Sequence, residues 1–394
     1  MIDLEKHPRL KYPLFGSLYF SQGIIYSLAI IIIPIYFIEK GISIEFTTAV
    51  IGILYIPWVI KFVFGGIADY FQKLGRKRFA LLGGLLAAIS FFLLSIIDPS
   101  LFLFPFVFIA FIASIGIVFL DVAADAWAIS ICEEKERGKV NASMFGGMFI
   151  GSAFTTSVIA LIAQFTTYSI AFITAGLVVL CILLFPFFIK ENITLIDRPR
   201  LARLAFYEFK KRPTQIVAAF SIPLYVSFGI LSIGIPLWVK TQFGLQIGEI
   251  GLIVTLAPVA TVLGSFAGGY SADALGRKIT LYGFIAVNIF FAGLLAFASS
   301  WELVAIIYAV IGFLHGGHMA AFGAISMDVT NPKIGATQYS ILMGFGNAGE
   351  MGGTMISGTL ITLLGFARVF LYSAWIYGPA LLILYLYREH KKRY

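Results

Sequence analysis

Charge is scarce in this chain. Asp, Glu, Lys and Arg supply 12% of its 394 residues, where a soluble domain carries about a quarter. Cysteine is nearly absent. Cys132 and Cys181 both lie in or beside apolar stretches, so no disulfide framework or cysteine-held metal is available. Short alternating strand patterns are missing, which excludes a membrane β-barrel. There is no glycine-rich phosphate loop, Ser/His/Asp arrangement or metal-ligand cluster. The chain therefore does not read as an enzyme, and no metal or organic cofactor is expected. What is abundant is apolar: 60% of residues are hydrophobic, Phe alone numbers 39, and mean hydropathy is +0.95. A water-soluble protein could not hide that much apolar surface, so the solvent is lipid.

Apolar runs of about 20 residues are membrane helices. They fall at about 13–38, 46–70, 79–97, 100–132, 141–166, 168–190, 214–239, 249–273, 279–299, 302–328, 337–364 and 367–388. The first is too long for the core of a signal peptide and reads as a retained helix. The longest interruption, 191–213, carries Arg198, Arg200, Arg203, Lys210, Lys211 and Arg212. It divides the chain into 1–190 and 214–394, two six-helix bundles joined by a cytoplasmic loop. Placing the N-terminus in the cytoplasm puts 24 of the 28 Lys and Arg residues inside; only Lys40, Lys240 and Arg368 lie outside, and Lys61 lies within a helix. That bias predicts both termini in the cytoplasm and a cytoplasmic-membrane location. It also accounts for the net charge of +8 without a nucleic-acid partner.

The two halves repeat a motif. Gly65-Gly66-Ile67-Ala68-Asp69 runs on to Gly75-Arg76-Lys77-Arg78, and Gly269-Tyr270-Ser271-Ala272-Asp273 runs on to Gly276-Arg277-Lys278. Ala128-Ile129-Ser130 likewise echoes Ala324-Ile325-Ser326. This pattern resembles the signature between helices 2 and 3, and 8 and 9, of the major facilitator superfamily. The resemblance covers the whole chain and implies an all-α membrane fold of twelve helices in two pseudo-symmetric bundles. It further implies a gating role for Gly65, Asp69, Gly75, Arg76, Lys77, Gly269, Asp273, Gly276, Arg277 and Lys278, with Asp69 meeting the start of helix 11. The first copy carries three extra residues between Asp69 and Gly75. An alternative for the basic residues is that they only enforce topology.

Ionisable groups inside membrane helices are costly and mark function. Asp121 and Asp125 in helix 4 share a face at i and i+4. Two stacked carboxylates repel, so at least one is expected to hold a proton. Lys61 in helix 2 is a candidate partner, or a contact for an anionic substrate. His315 and His318 in helix 10, with Glu350 in helix 11, form a looser counterpart in the second half. These six are the candidate proton- and substrate-binding residues. The stretch Leu120–Trp127, followed by Glu134-Lys135-Glu136-Arg137-Gly138, resembles muropeptide permeases and acetyl-CoA transporters. Ala336-Thr337-Gln338-Tyr339-Ser340 does so too. That resemblance implies that both aspartates are needed for transport. The expected function is secondary active transport of a small solute by a monomer in contact with membrane lipid, by alternating access and driven by an ion gradient, with protons the expected ion. Alternatives are drug or metabolite export on the same fold, or a non-transporting sensor or scramblase.

Overall fold

A computed structural model of the protein describes residues 2–4, 6–70, 72–132, 134–191, 206–331 and 334–387, with the side chains of 68–70, 72, 129, 134–139, 141, 142 and 335–337 outside the description. The central loop's Arg198, Arg200 and Arg203 fall outside it as well. Among the described residues, ten helices are long and apolar enough to cross a membrane. They are α1 (Pro8–Glu39), α3 (Arg76–Leu94), α4 (Leu103–Ile131), α5 (Glu134–Phe154, continuing to Phe165), α6 (Tyr168–Phe188), α7 (Arg212–Phe243), α8 (Ile247–Leu275), α9 (Arg277–Leu294), α10 (Trp301–Asp328) and α12 (Phe366–Tyr385). The broken pair Ile44–Val59 and Lys61–Ile67, bent by 40°, makes an eleventh span, α2. The 30-residue helix Gly335–Leu364, α11, completes the twelve expected spans. Its glycines, Asn347 and Glu350 make it too polar to stand out by hydropathy.

The break in α2 has a local cause. Pro57 has no amide proton and its ring clashes with the preceding turn. Tyr55 and Ile60 leave the helix on either side of Ile56–Val59, and the backbone there closes with tighter bonds such as Trp58 N–H to Tyr55 O at 2.9 Å. The apolar span read over 46–70 is thus present as one span broken near its middle.

By contact the chain forms two compact units. One comprises Met1–Ser43, Ile60–Asp197 and Gln246–Thr255; the other comprises Ile44–Val59, Arg198–Leu245 and Leu256–Tyr394. In the first, α1 packs along α5, and α3 along α4 and α6. Small residues let the backbones touch. A Cβ at Gly23 would lie 2.0 Å from Met148 O, and one at Gly151 2.1 Å from Phe20 O. Each of these two helices carries a π turn, Leu28–Ile32 and Thr155–Ile159, and Ser27 and Ser152 share a hydroxyl hydrogen bond at 2.6 Å. Gln246–Thr255 joins this unit: Gln164 Oε1 accepts from Gly248 N–H at 2.8 Å, and Thr156 and Thr255 hydroxyls meet at 2.5 Å.

The second unit repeats the scheme. Here α7 packs along α11, with the Cβ position of Gly353 2.1 Å from Val226 O. The first half of α2 joins it, since Gly358 N–H donates to Thr48 Oγ1 at 3.1 Å. Leu82, Phe104, Phe266, Leu363 and Trp375 are exposed on outer faces, as lipid contact requires.

A short parallel ladder, β1 (Ile2–Asp3) with β2 (Ile189–Lys190), ties the start of the described chain to the end of α6. At the other end of that unit, the Lys40 ammonium meets Asp98 at 2.5 Å, Ser100 caps the same carboxylate, and Tyr168 donates to Glu39 at 2.8 Å. Chiefly through the Lys40 hydrogen bond, the Asp98 carboxyl is held down at about 2.

Two expectations follow. Gly251→Ala drives a Cβ to 1.8 Å from Thr156 O, a backbone atom that cannot yield alone. It should destabilise the detergent-purified protein by about 1–3 kcal/mol, read as a fall in Tm. Gly283→Ala, with nothing within 4 Å of its Cβ position, should not. For Asp98, the folded value lies below the unfolded value of about 3.9, so the ion pair stabilises above that pH and is lost as pH falls toward 2. The Tm difference between the parent and Asp98→Asn should therefore shrink across that window.

Candidate functional site

In the first unit α4 brings its aspartates against α1 and α2. Phe119 packs edge-on against Phe64 and Phe79 at 6.1 and 5.3 Å between centroids, and Trp127 against Phe15 at 5.7 Å. These contacts fix the rotation of α4, so Asp121 and Asp125 point into the helix bundle, as the i, i+4 spacing required. Asp121 is 1% exposed. The Tyr19 hydroxyl on α1 donates a short hydrogen bond to Asp125 Oδ1. Lys61 is the first residue after the break in α2, and its ammonium stands 3.9 Å from Asp121 Oδ2. That is an ion pair without a hydrogen bond, and Oδ2 accepts none from any described group. The break makes the pair possible, because it re-aims the helix where the lysine begins. A cation at a helix N-terminus opposes the helix dipole, and the carboxylate offsets this.

Two carboxylates therefore share one ammonium and one phenol in the interior of the bundle. A groove of about 750 Å³ along α1, α5 and α6, lined by residues such as Gly146, Ile150, Leu177 and Cys181, is apolar and does not include them.

The second unit gathers the other candidates. His315 stacks flat on Phe228, with 3.8 Å between ring centroids, and stands perpendicular to His318 at 4.9 Å. Glu350 Oε1 accepts from Tyr55 at 2.9 Å, which engages the broken α2. Asn347 Nδ2, one turn away, donates to Trp58 O at 3.2 Å. Among the described residues no group of three or more His, Cys, Asp or Glu is placed to hold a metal.

The repeated motif sits at equivalent places. Gly75 and Gly276 take φ of +85° and +97°, which glycine tolerates and which start α3 and α9. Glu191 accepts from the Arg76 and Lys77 amides at 2.7 and 3.0 Å, so a carboxylate from beyond α6 caps α3. The Lys77 ammonium donates to Ile189 O at 2.7 Å. Lys278 repeats this, donating to Tyr385 O and Tyr387 O at 2.9 and 2.7 Å. Both lysines thus hold the closing turn of the last helix of their half. Arg277 instead pairs with Asp273 at 3.2 Å and Asp328 at 3.3 Å. A Cβ at Gly65 would lie 3.6 Å from Val122 Cγ1, an ordinary contact, and Gly269 has open space around its Cβ position. The Asp69 side chain, and those of residues 335–337 that it was expected to meet, lie outside the described residues.

Gln338, singled out by resemblance, is fully buried. It accepts from Asn331 N–H at 2.9 Å and donates to Val329 O at 3.1 Å, pinning the turn before α11. Tyr19, Tyr55, Glu191 and Asp328 escaped the sequence reading, because none has a local signal connecting it to its distant partner.

Tyr19→Phe removes one charge-assisted bond and should lower stability by about 1.5–3 kcal/mol, read from Tm in detergent. Combined with Asp125→Asn, the losses should be less than additive. Strict additivity of the two would mean that phenol and carboxylate are not coupled.

The sequence profile described as Major Facilitator Superfamily matches residues 15–224 and 217–394. A putative transporter, AmpG 4, of Rickettsia conorii is 23% identical over 93% of this chain and 94% of that protein. The anhydromuropeptide permease of Escherichia coli is 24% identical over 84% and 70%. Among solved structures, the nucleoside transporter NupG superposes with a TM-score of 0.76 at 15% identity, over 96% of this chain and all of that one. With twelve helices, a motif in both halves and this profile match, the chain belongs to the major facilitator superfamily, as an integral multi-pass membrane transporter of a small solute.

Proposed function

We propose that this protein is a proton-coupled secondary transporter of the cytoplasmic membrane, working as a monomer by alternating access with both termini in the cytoplasm. The observation that carries the coupling is the charge balance around α4: two carboxylates, Asp121 and Asp125, with one described ion-pair partner, Lys61. An uncompensated charge in a membrane interior costs about 2.5–3.5 kcal/mol or more. Taking up one proton on the pair removes it, and releasing that proton restores it. Lys61 sets which carboxylate stays ionised, by lying next to Asp121. Tyr19 holds Asp125 in place through the exchange. No cofactor beyond the ion gradient is required.

Because Asp121 already faces the Lys61 ammonium, the substrate needs no negative charge of its own. Rich hydrogen-bonding solutes suit such a site, and the relatives point the same way. The anhydromuropeptide permease takes a sugar-peptide by its name, and a cis,cis-muconate transport protein of the same similarity range supplies the contrasting anionic case. A sugar-peptide is the favoured class. The orientation rests on the Lys and Arg bias of 24 inside to 3 outside.

A thermal-shift screen with anhydromuropeptides, cis,cis-muconate and nucleosides identifies the ligand, since binding raises Tm by mass action. Proteoliposomes then test the coupling. Asp121→Asn and Asp125→Asn should each abolish uptake driven by an imposed proton gradient, and at least one should keep substrate counterflow, which needs no net proton movement. Undiminished gradient-driven uptake in both variants would remove the aspartates from the mechanism.

A further inference from the structure

The buried end of the histidine cluster is chemically unfinished. His318 is fully buried, and neither of its ring nitrogens has a hydrogen-bond partner; the same holds for Nδ1 of His315 and Oδ1 of Asn288. Tyr377 connects the two groups. His318 stands 6.5 Å from the Tyr377 ring between centroids, and the Tyr377 hydroxyl accepts from Asn288 Nδ2 at 3.1 Å. Four unpartnered polar atoms on α9 and α10 thus flank Tyr377 of α12.

Reassigning atoms does not close this gap. A neutral imidazole has one N–H and one lone pair whichever tautomer it takes. Turning the Asn288 amide over lets Tyr377 donate to its carbonyl but strands the NH2 group. Buried polar groups are nearly always partnered, and here the described residues supply no partner. Any room for a partner must lie on the ring side of α10. On the glycine side, Cβ positions at Gly316 and Gly317 would stand 2.0 Å from Thr261 O and 2.0 Å from the Phe284 ring, so the helix is pressed against its neighbours there.

We propose that this space is an internal hydration site, in which ordered water links His315, His318 and Asn288. Water matches the set because it both donates and accepts, and a buried water needs two to four polar partners. It would accept from an imidazole N–H and donate to Asn288 Oδ1. A metal ion lacks the third ligand it needs. The water extends inward a set of side chains that begins at Glu350 and Tyr55 and passes Tyr225, which stands edge-on to His315 at 6.3 Å. This inference is independent of proton coupling at Asp121 and Asp125 and stands if that reading fails.

Radiolytic hydroxyl labelling in 18O water tests it, because radicals form from water at the site. Tyr377 and His318 should label several-fold faster than Phe370, which is equally buried in apolar surroundings. Labelling as slow as that of Phe370 overturns the proposal. Stability gives a second reading with opposite signs. In a hydrated site, His318→Phe deprives the water of partners and lowers Tm, and adding Asn288→Leu recovers part of the loss. In a dry site, His318→Phe removes an unpartnered ring and raises Tm, which overturns the proposal.

Discussion

Helices in lipid gain nothing by hiding apolar surface from one another, because the hydrocarbon is as apolar as they are. What holds this protein together must be close contact, and close contact needs small residues. The same solution appears in both units: Gly23 and Gly151 between α1 and α5, Gly353 between α7 and α11. Backbone touches backbone along these seams. The polar groups follow from them, since hydroxyls such as Ser27 and Ser152 are brought within bonding distance only where the helices nearly touch.

The break in α2 shows how a local irregularity becomes a site. Pro57 interrupts the hydrogen-bond ladder, and the chain on either side joins a different unit. The half before it packs on α11; the half after it delivers Lys61 to Asp121. One residue without an amide proton thus lets a single helix serve two sets of neighbours and positions the membrane-interior cation opposite a carboxylate.

The spans were legible because hydropathy over about 20 residues is a strong signal, and α11 was legible only by its length and flanks. The pairing of Asp121 with Asp125 was legible because helical periodicity is local. Tyr19 was not, since it lies 106 residues from Asp125 and a lone tyrosine in an apolar helix has many ordinary uses. The basic residues of the repeat were conspicuous, but the acceptors of Lys77 and Lys278 are backbone carbonyls, which leave no mark on the sequence. Likewise Glu191, at the edge of a basic loop, gave no hint that it caps α3.

The small ladder of Ile2–Asp3 on Ile189–Lys190 bears on how the protein is made. A ribosome releases the chain from its N-terminus, so the first strand must wait unpaired until the sixth helix has been inserted. Pairing then ties the start of the described chain to the end of α6. Lys77 and Glu191 secure the same closure from α3. Gln246–Thr255, which also belongs to this unit, comes with the eighth helix. Synthesis therefore delivers most of the first unit before Arg198, while Ile44–Val59 waits for the later helices of the second.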